Sequence, residues 1–163
     1  MEVPPCPAAG NEFLAEHVKI LLESYRRLTG RRLLAEEDDL QGEIGEAQRL
    51  FEAPFFVASH STADDPILTY GNRAALELFE MSWEAFTTTP SRFTAEAPER
   101  SERERLLAAV SSQGYIDDYS GVRISSSGRR FQIEQATVWN LEDSHGNPRG
   151  QAATFSRWRY LKG

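Results

Sequence analysis

The sequence predicts an α+β domain in which five antiparallel strands carry helices lodged between the second and third, behind an N-terminal helical extension. Three observations predict it. An apolar stripe at Leu14, Val18, Leu21, Tyr25 and Leu28 follows helical spacing near the start of the chain. The stretch from Asn72 to Ser112 reads as several helices. The last third reads as strands only, in three long β-type runs separated by turn compositions.

Taken in order, residues 1–10 hold three prolines and a glycine and read as a flexible lead. Residues 11–52 are the helical extension. Phe13, Ile20 and Leu22 widen its stripe, and Gly30 is a natural stop. Two heptads are too few to hold a coiled coil alone. The stripe therefore has two compatible readings: a helix packed on its own domain, or one that pairs through Leu14, Val18, Leu21 and Tyr25 with a second copy. Residues 31–48 are charged, with Glu36-Glu37-Asp38-Asp39 as a solvated turn, and Gln48–Glu52 is a last helical turn.

The domain proper is assigned to 53–163. Phe55-Phe56-Val57-Ala58 is a first strand, a polar stretch from Ser59 to Pro66 breaks it, and Ile67-Leu68-Thr69-Tyr70 starts a second. Asn72 suits the N-cap of the helix Ala74–Phe79, because its side chain can accept an orphan backbone N–H. Trp83-Glu84-Ala85-Phe86 is another short helix. A longer one is expected from Ala95 to Ser112, with Thr94 as cap and Pro98 in the first turn. Glu96–Arg100 and Glu99–Arg103 would be its ion pairs, and Leu106, Leu107 and Val110 its buried edge. Tyr115–Ser125, Arg130–Leu141 and Gly150–Trp158 then form an antiparallel meander around the turns Ser126-Ser127-Gly128 and Asp143–Asn147.

Composition narrows the function classes. With 163 residues the chain fits one domain plus a short extension, and 40% apolar with 26% charged residues is a globular mixture. The formal charge of −7 argues against sequence-independent nucleic-acid binding, which needs a positive footprint. Cys6 is the only cysteine, so no internal disulfide forms, and no Cys/His cluster has metal-ligand spacing. Neither a signal peptide nor a long apolar run is present, so a cytoplasmic protein away from the membrane is expected.

The stretch Asp65-Pro66-Ile67-Leu68-Thr69-Tyr70-Gly71-Asn72, followed by Leu78-Phe79 and Trp83-Glu84-Ala85-Phe86, resembles the MEKHLA domain, a PAS-like unit. Pro90-Ser91-Arg92, Gly121-Val122-Arg123-Ile124-Ser125 and Val138-Trp139-Asn140-Leu141 extend the resemblance, which runs from about Phe13 to Trp158. The family implies a PAS-like sheet with helices on one face and a sensory or regulatory role. It is known as the C-terminal part of plant class III homeodomain–leucine zipper transcription factors and as a stand-alone bacterial protein. With no homeodomain or zipper ahead of it, this chain resembles the stand-alone form.

The cofactors that a PAS-like resemblance brings with it each demand particular residues. A photoactive flavin domain needs a helix cysteine beside its ring, and none lies between Asn72 and Ser112. Haem needs an axial ligand such as histidine. His17, His60 and His145 sit on the first helix, in a loop and at a turn tip, so haem and covalently bound flavin are not expected. No phosphate loop, nucleophile elbow or metal motif is present. Asp117 and Asp118 are neighbours on a strand and point to opposite faces, so they cannot share a proton. They read as exposed carboxylates facing Arg123 or Arg130.

A cavity remains. Helices covering one sheet face would draw Trp83, Phe86, Phe93, Leu107, Tyr115 and Trp139 around it, each a core candidate as well as a ligand wall. Alternation places Phe131, Ile133, Gln135, Thr137 and Trp139 on one face, so Gln135 and Thr137 would sit among apolar neighbours, with Ser156 or Thr154 as structural partners. Arg100 and Arg103 could reach an anionic ligand. The reading is a sensory or regulatory module that binds a small molecule or protein partner and signals as a homodimer. The N-terminal stripe and the outer sheet face are the association surfaces. The alternatives are a structural dimerisation module and a small α+β enzyme with a cone-shaped cavity, for which Asp118 and His60 are the candidate titratable groups.

Overall fold

Helix α1 (Ala15–Thr29) follows the apolar stripe and stops at Gly30, whose φ of 74° lets its N–H reach back to Arg26 O at 2.9 Å. The computed structural model describes residues 5–34, 42–98 and 100–162; the Glu36–Asp39 turn and Glu99, with its expected pair to Arg103, lie outside them. Then come α2 (Gly42–Glu52), β1 (Phe56–His60), β2 (Leu68–Gly71), α3 (Arg73–Phe79), α4 (Trp83–Phe86), α5 (Arg100–Ser112), β3 (Tyr115–Ile124), β4 (Arg130–Glu142), β5 (Pro148–Phe155) and β6 (Arg157–Tyr160). The sheet is antiparallel, in the order β2-β1-β5-β4-β3. The last expected strand breaks at Ser156, and its second part, β6, pairs the beginning of β4.

The long helix begins later than the sequence suggests. Ala95 forms a β-bridge with Arg123, and the Glu96 N–H donates to Val122 O, so this segment is held extended along β3. Glu96 then pairs with Arg130 and Arg100 with Glu104, replacing the expected Glu96–Arg100 pair. Asp117 and Asp118 are exposed, but their partners are Arg31 and Arg105 rather than Arg123 or Arg130.

Strand β4 departs from simple alternation at Gln135, which adopts φ 50°. Between the pairings Tyr119↔Ala136 and Gly121↔Ile133, β4 carries one more residue than β3, a β-bulge. The extra residue reverses the faces. Phe131, Ile133, Ala136 and Val138 point inward, whereas Trp139 and Leu141 point to the opposite side. The single face expected for Phe131, Ile133, Gln135, Thr137 and Trp139 therefore does not exist. Gln135 is exposed and accepts from Arg157 at 3.4 Å, and Thr137 lies opposite Thr154 in the ladder.

Both faces are covered. On the inner face α3, α4 and α5 pack on Phe56, Leu68, Ile116, Tyr119, Ile133 and Phe155. On the outer face α1 and α2 pack on Val57, Tyr70, Trp139, Leu141 and Ala152, and Cys6 rests against the same cluster. Tyr25 meets the Trp139 ring edge-on at 5.0 Å, the Trp139 indole N–H donates to Leu21 O, and Ser24 clamps both backbone groups of Glu142. Of the two readings of the stripe, the structure adopts packing on the chain's own sheet. Val18 and Leu21 are buried, and exposing each would forfeit about 1.5–3 kcal/mol. Val18, Leu21 and Tyr25 are thus not free to pair with a second copy, nor is the outer sheet face.

Asn72 joins the layers. Its fully buried amide oxygen accepts from Val57 N and Ala75 N, capping α3, and its NH2 donates to Leu50 O and Phe55 O. Asn72→Ala would remove all four of these hydrogen bonds and is expected to cost about 2–4 kcal/mol in a urea unfolding titration.

His17 ties α1 to β1: its Nε2 lies 3.0 Å from Ser59 Oγ, which meets Thr69 Oγ1 at 2.8 Å. Burial, aided by the Arg149 charge, lowers its pKa from 6.5 to about 4. Between those pH values the unfolded chain takes up a proton that the folded chain refuses. Stability therefore falls as pH drops from 6.5 to 4, by up to about 3 kcal/mol. Unfolding at stepped pH should show this slope in the native protein, and His17→Asn should flatten it.

Candidate functional site

The inner face is incompletely covered. Between the sheet and the segment from Ser91 to Leu107 lies a solvent-connected cavity of about 580 Å³. Its walls are Phe56, Ile133, Val138 and Phe155 of the sheet and Phe79 of α3, with Leu106 and Leu107 of α5 also lining it. The Phe56 and Phe155 rings stack at 4.3 Å, and Phe79 meets Phe56 edge-on at 5.5 Å, so this wall is rigid and aromatic.

The charged lining is mostly cationic. Arg92, Arg103, Arg123, His60 and Glu96 border the cavity. Arg92 is paired with Asp65, Glu96 with Arg130, and His60 Nδ1 donates to Ser61 O at 3.0 Å. Arg123 differs from these. It stands half-buried on the inner row of β3 after Tyr119 and Gly121, opposite Phe131. Among the described residues it has no carboxylate partner. Its contacts are Val122 O at 3.4 Å and Tyr119, whose ring centroid lies 6.0 Å away. Removal from water depresses its pKa, with Tyr119 opposing that shift.

Of the residues expected around a pocket, Arg103 and Leu107 line the cavity. Phe86 is fully buried in the inner core against Phe79, where Gly71 leaves room for its ring: a Cβ there would lie 2.7 Å away. Trp83 and Trp139 belong to the outer cluster, and Tyr115 packs against it. Phe93 is exposed beneath the Arg92 guanidinium, and Arg100 is on the solvent side with Glu104. Thr137 and Gln135 are not lining residues. Most of the lining, including Phe56, Phe79, Phe155 and Arg123, is missed by sequence reasoning, although alternation from Tyr119 through Gly121 marks Arg123 as inward. Asp118 is held by Arg105, away from the lining. Among the described residues no three metal-binding side chains cluster, and no helix is long and apolar enough to cross a membrane.

Comparison with known proteins agrees with this architecture. The PAS domain of a protein from Colwellia psychrerythraea superposes with a TM-score of 0.56 at 15% identity, covering 72% of this chain and 94% of that one. The light-state dimer of the fungal blue-light photoreceptor Vivid gives 0.56 at 13% identity, covering 84% and 90%. An RNA-binding light-oxygen-voltage receptor gives 0.57 at 19%, covering 74% and 35%. At such identities the likeness establishes the fold alone.

Among curated proteins, the homeobox-leucine zipper protein ATHB-9 of Arabidopsis thaliana is 26% identical over 99% of this chain and 19% of its own length. ATHB-14 of the same plant is 28% identical over 88% and 17%. This chain thus spans less than a fifth of these relatives. The model of the MEKHLA domain matches residues 15–160, taking in both α1 and the whole sheet, and the chain belongs to that family, with a PAS fold.

Proposed function

We propose that this MEKHLA domain is a sensory or regulatory module in which a small molecule occupies the inner-face cavity and changes how α1 and α2 seat on the back of the sheet. The cavity carries the reading. Protein interiors are packed to crystal-like density with few voids larger than a water molecule, and the outer face of this same sheet is filled in that way. A space of about 580 Å³ walled by aromatic rings falls in the range of small-molecule sites. The names of Vivid and of the light-oxygen-voltage receptor, both with this fold, support a sensor rather than an enzyme. So does the pairing of Glu96, the acid at the rim, with an arginine.

The sheet is the link between the two faces. The strands that supply Ala58, Phe56 and Val138 to the cavity side also supply Val57, Ser59 and Trp139 to α1. Tyr70, in the outer core, has a buried hydroxyl with no hydrogen-bond partner among the described residues, so that interface holds a stored penalty. A ligand can shift the seating of α1 only by its difference in affinity between the two arrangements. Self-association is the output, through surface other than Val18, Leu21 and Tyr25.

Native mass spectrometry of freshly purified protein should show a bound small molecule. Ala153→Phe, which fills the cavity from β5, should abolish it without lowering the melting temperature. Wild-type protein that carries no bound mass and gives no thermal shift in a ligand screen would leave a purely structural module.

A further inference from the structure

The charge around the cavity bears on the class of ligand, an assignment that rests on the cavity being a binding site. Arg123 places a guanidinium, with five N–H donors, on the inner face of a sheet otherwise lined by Phe131, Ile133 and Tyr119. A guanidinium stays charged at all physiological pH, so it cannot relieve burial by losing its proton. Among the described residues, the lining acid Glu96 is committed to Arg130, and Asp65 and Asp118 to Arg92 and Arg105. A long contact to Val122 O and the nearby Tyr119 hydroxyl still leave most of the Arg123 donors without an acceptor among the described residues. Space is kept beside it as well. Gly121 has no side chain, and a Cβ there would sit 3.5 Å from Arg123 Nη1 and 3.1 Å from the Tyr119 ring.

The chain as a whole carries a formal charge of −7, yet among the described residues this cavity gathers Arg92, Arg103 and Arg123 against Glu96. The site is a cationic spot with aromatic walls inside an acidic protein. A charge drawn out of water is tolerated when a partner neutralises it, and planar guanidinium matches a carboxylate in a two-pronged geometry. A neutral apolar ligand would fill the space but leave Arg123 unpaired. A cation would be repelled by it.

We propose that the cavity binds an organic acid, an apolar or aromatic body bearing one carboxylate, with the carboxylate paired to the Arg123 guanidinium and the body laid against Phe56, Phe79 and Phe155. Arg103, at the rim on α5, adds to the attraction for the anion. Arg123 is the residue that separates acids from neutral molecules of the same shape, and the aromatic wall sets which bodies fit.

The test uses matched probes on the full chain: 2-naphthoate against 2-naphthamide, and decanoate against decanamide, by isothermal titration calorimetry at low salt. The acids should bind at least about tenfold more tightly than their amides. Arg123→Gln should erase that preference while leaving amide binding in place, and Ala153→Phe should exclude all four. A further measurement needs no ligand. Arg123→Met removes an unpaired charge from the cavity wall, so the melting temperature of the empty protein should hold or rise; a clear fall would mean that Arg123 serves the fold and would overturn the assignment. Equal binding of acids and amides would overturn it too, while leaving the cavity as a site for neutral molecules. If none of the four probes binds, the organic-acid assignment fails, and the co-purified mass with its loss in Ala153→Phe decides separately whether the cavity binds anything.

Discussion

The sheet of this domain carries close-packed apolar rows on both faces, and covering each of them dictates the arrangement of the helices. Strand β4 sets the requirement. Before its bulge at Gln135 the inward row is Phe131 and Ile133; after it, Trp139 and Leu141 face the other way, fully buried. A half-covered antiparallel sheet would leave those side chains in water. The N-terminal helices meet that need, and their fit is specific: Trp139 donates to Leu21 O, and Ser24 closes on Glu142. The outer face is thereby closed, and the inner face, roofed by short helices and an extended segment, is not.

This asymmetry separates stability from binding. The outer cluster and the Asn72 amide hold the layers together without reference to a ligand. The inner face keeps an open volume whose rim is built by the Ser91–Pro98 segment, held against β3 by Ala95 and Glu96. Elsewhere on the domain, several arginines, among them Arg31, Arg100 and Arg105, are matched to acids at the surface, where each pair contributes little. Arg123, half-buried and without a carboxylate among the described residues, does not follow that pattern, and its position on the cavity wall gives the site a chemical preference as well as a shape.

Much of the fold is legible in the sequence because local rules and tertiary needs agree. The stripe of α1, the cap at Asn72 and the late meander each carry a periodicity or a turn signal. The site is harder to read because it depends on parity. Gln135 in a left-handed conformation has no sequence signature of the kind a glycine or asparagine gives, so the bulge is hidden, and plain alternation puts Thr137 and Trp139 on the wrong face. The break at Ser156 and the extended Ala95–Pro98 segment are likewise set by pairing with distant strands. Proximity in sequence offers Arg123 the acids at 117 and 118, whereas those acids are held by Arg31 and Arg105. An apolar helical stripe declares that it will be covered, but not by what; its cover is the chain's own sheet.

The two-faced architecture therefore stands on α1 docking within one chain. Amide hydrogen exchange measured at two widely separated protein concentrations tests this most directly. If the sheet and its outer cover are one body, amides from Val18 to Tyr25 will exchange in the same slow class as those of β4, at rates independent of concentration. Fast exchange along α1, or protection that grows with concentration, would show that a second copy rather than the chain's own sheet covers the stripe, and the two-faced architecture would be wrong.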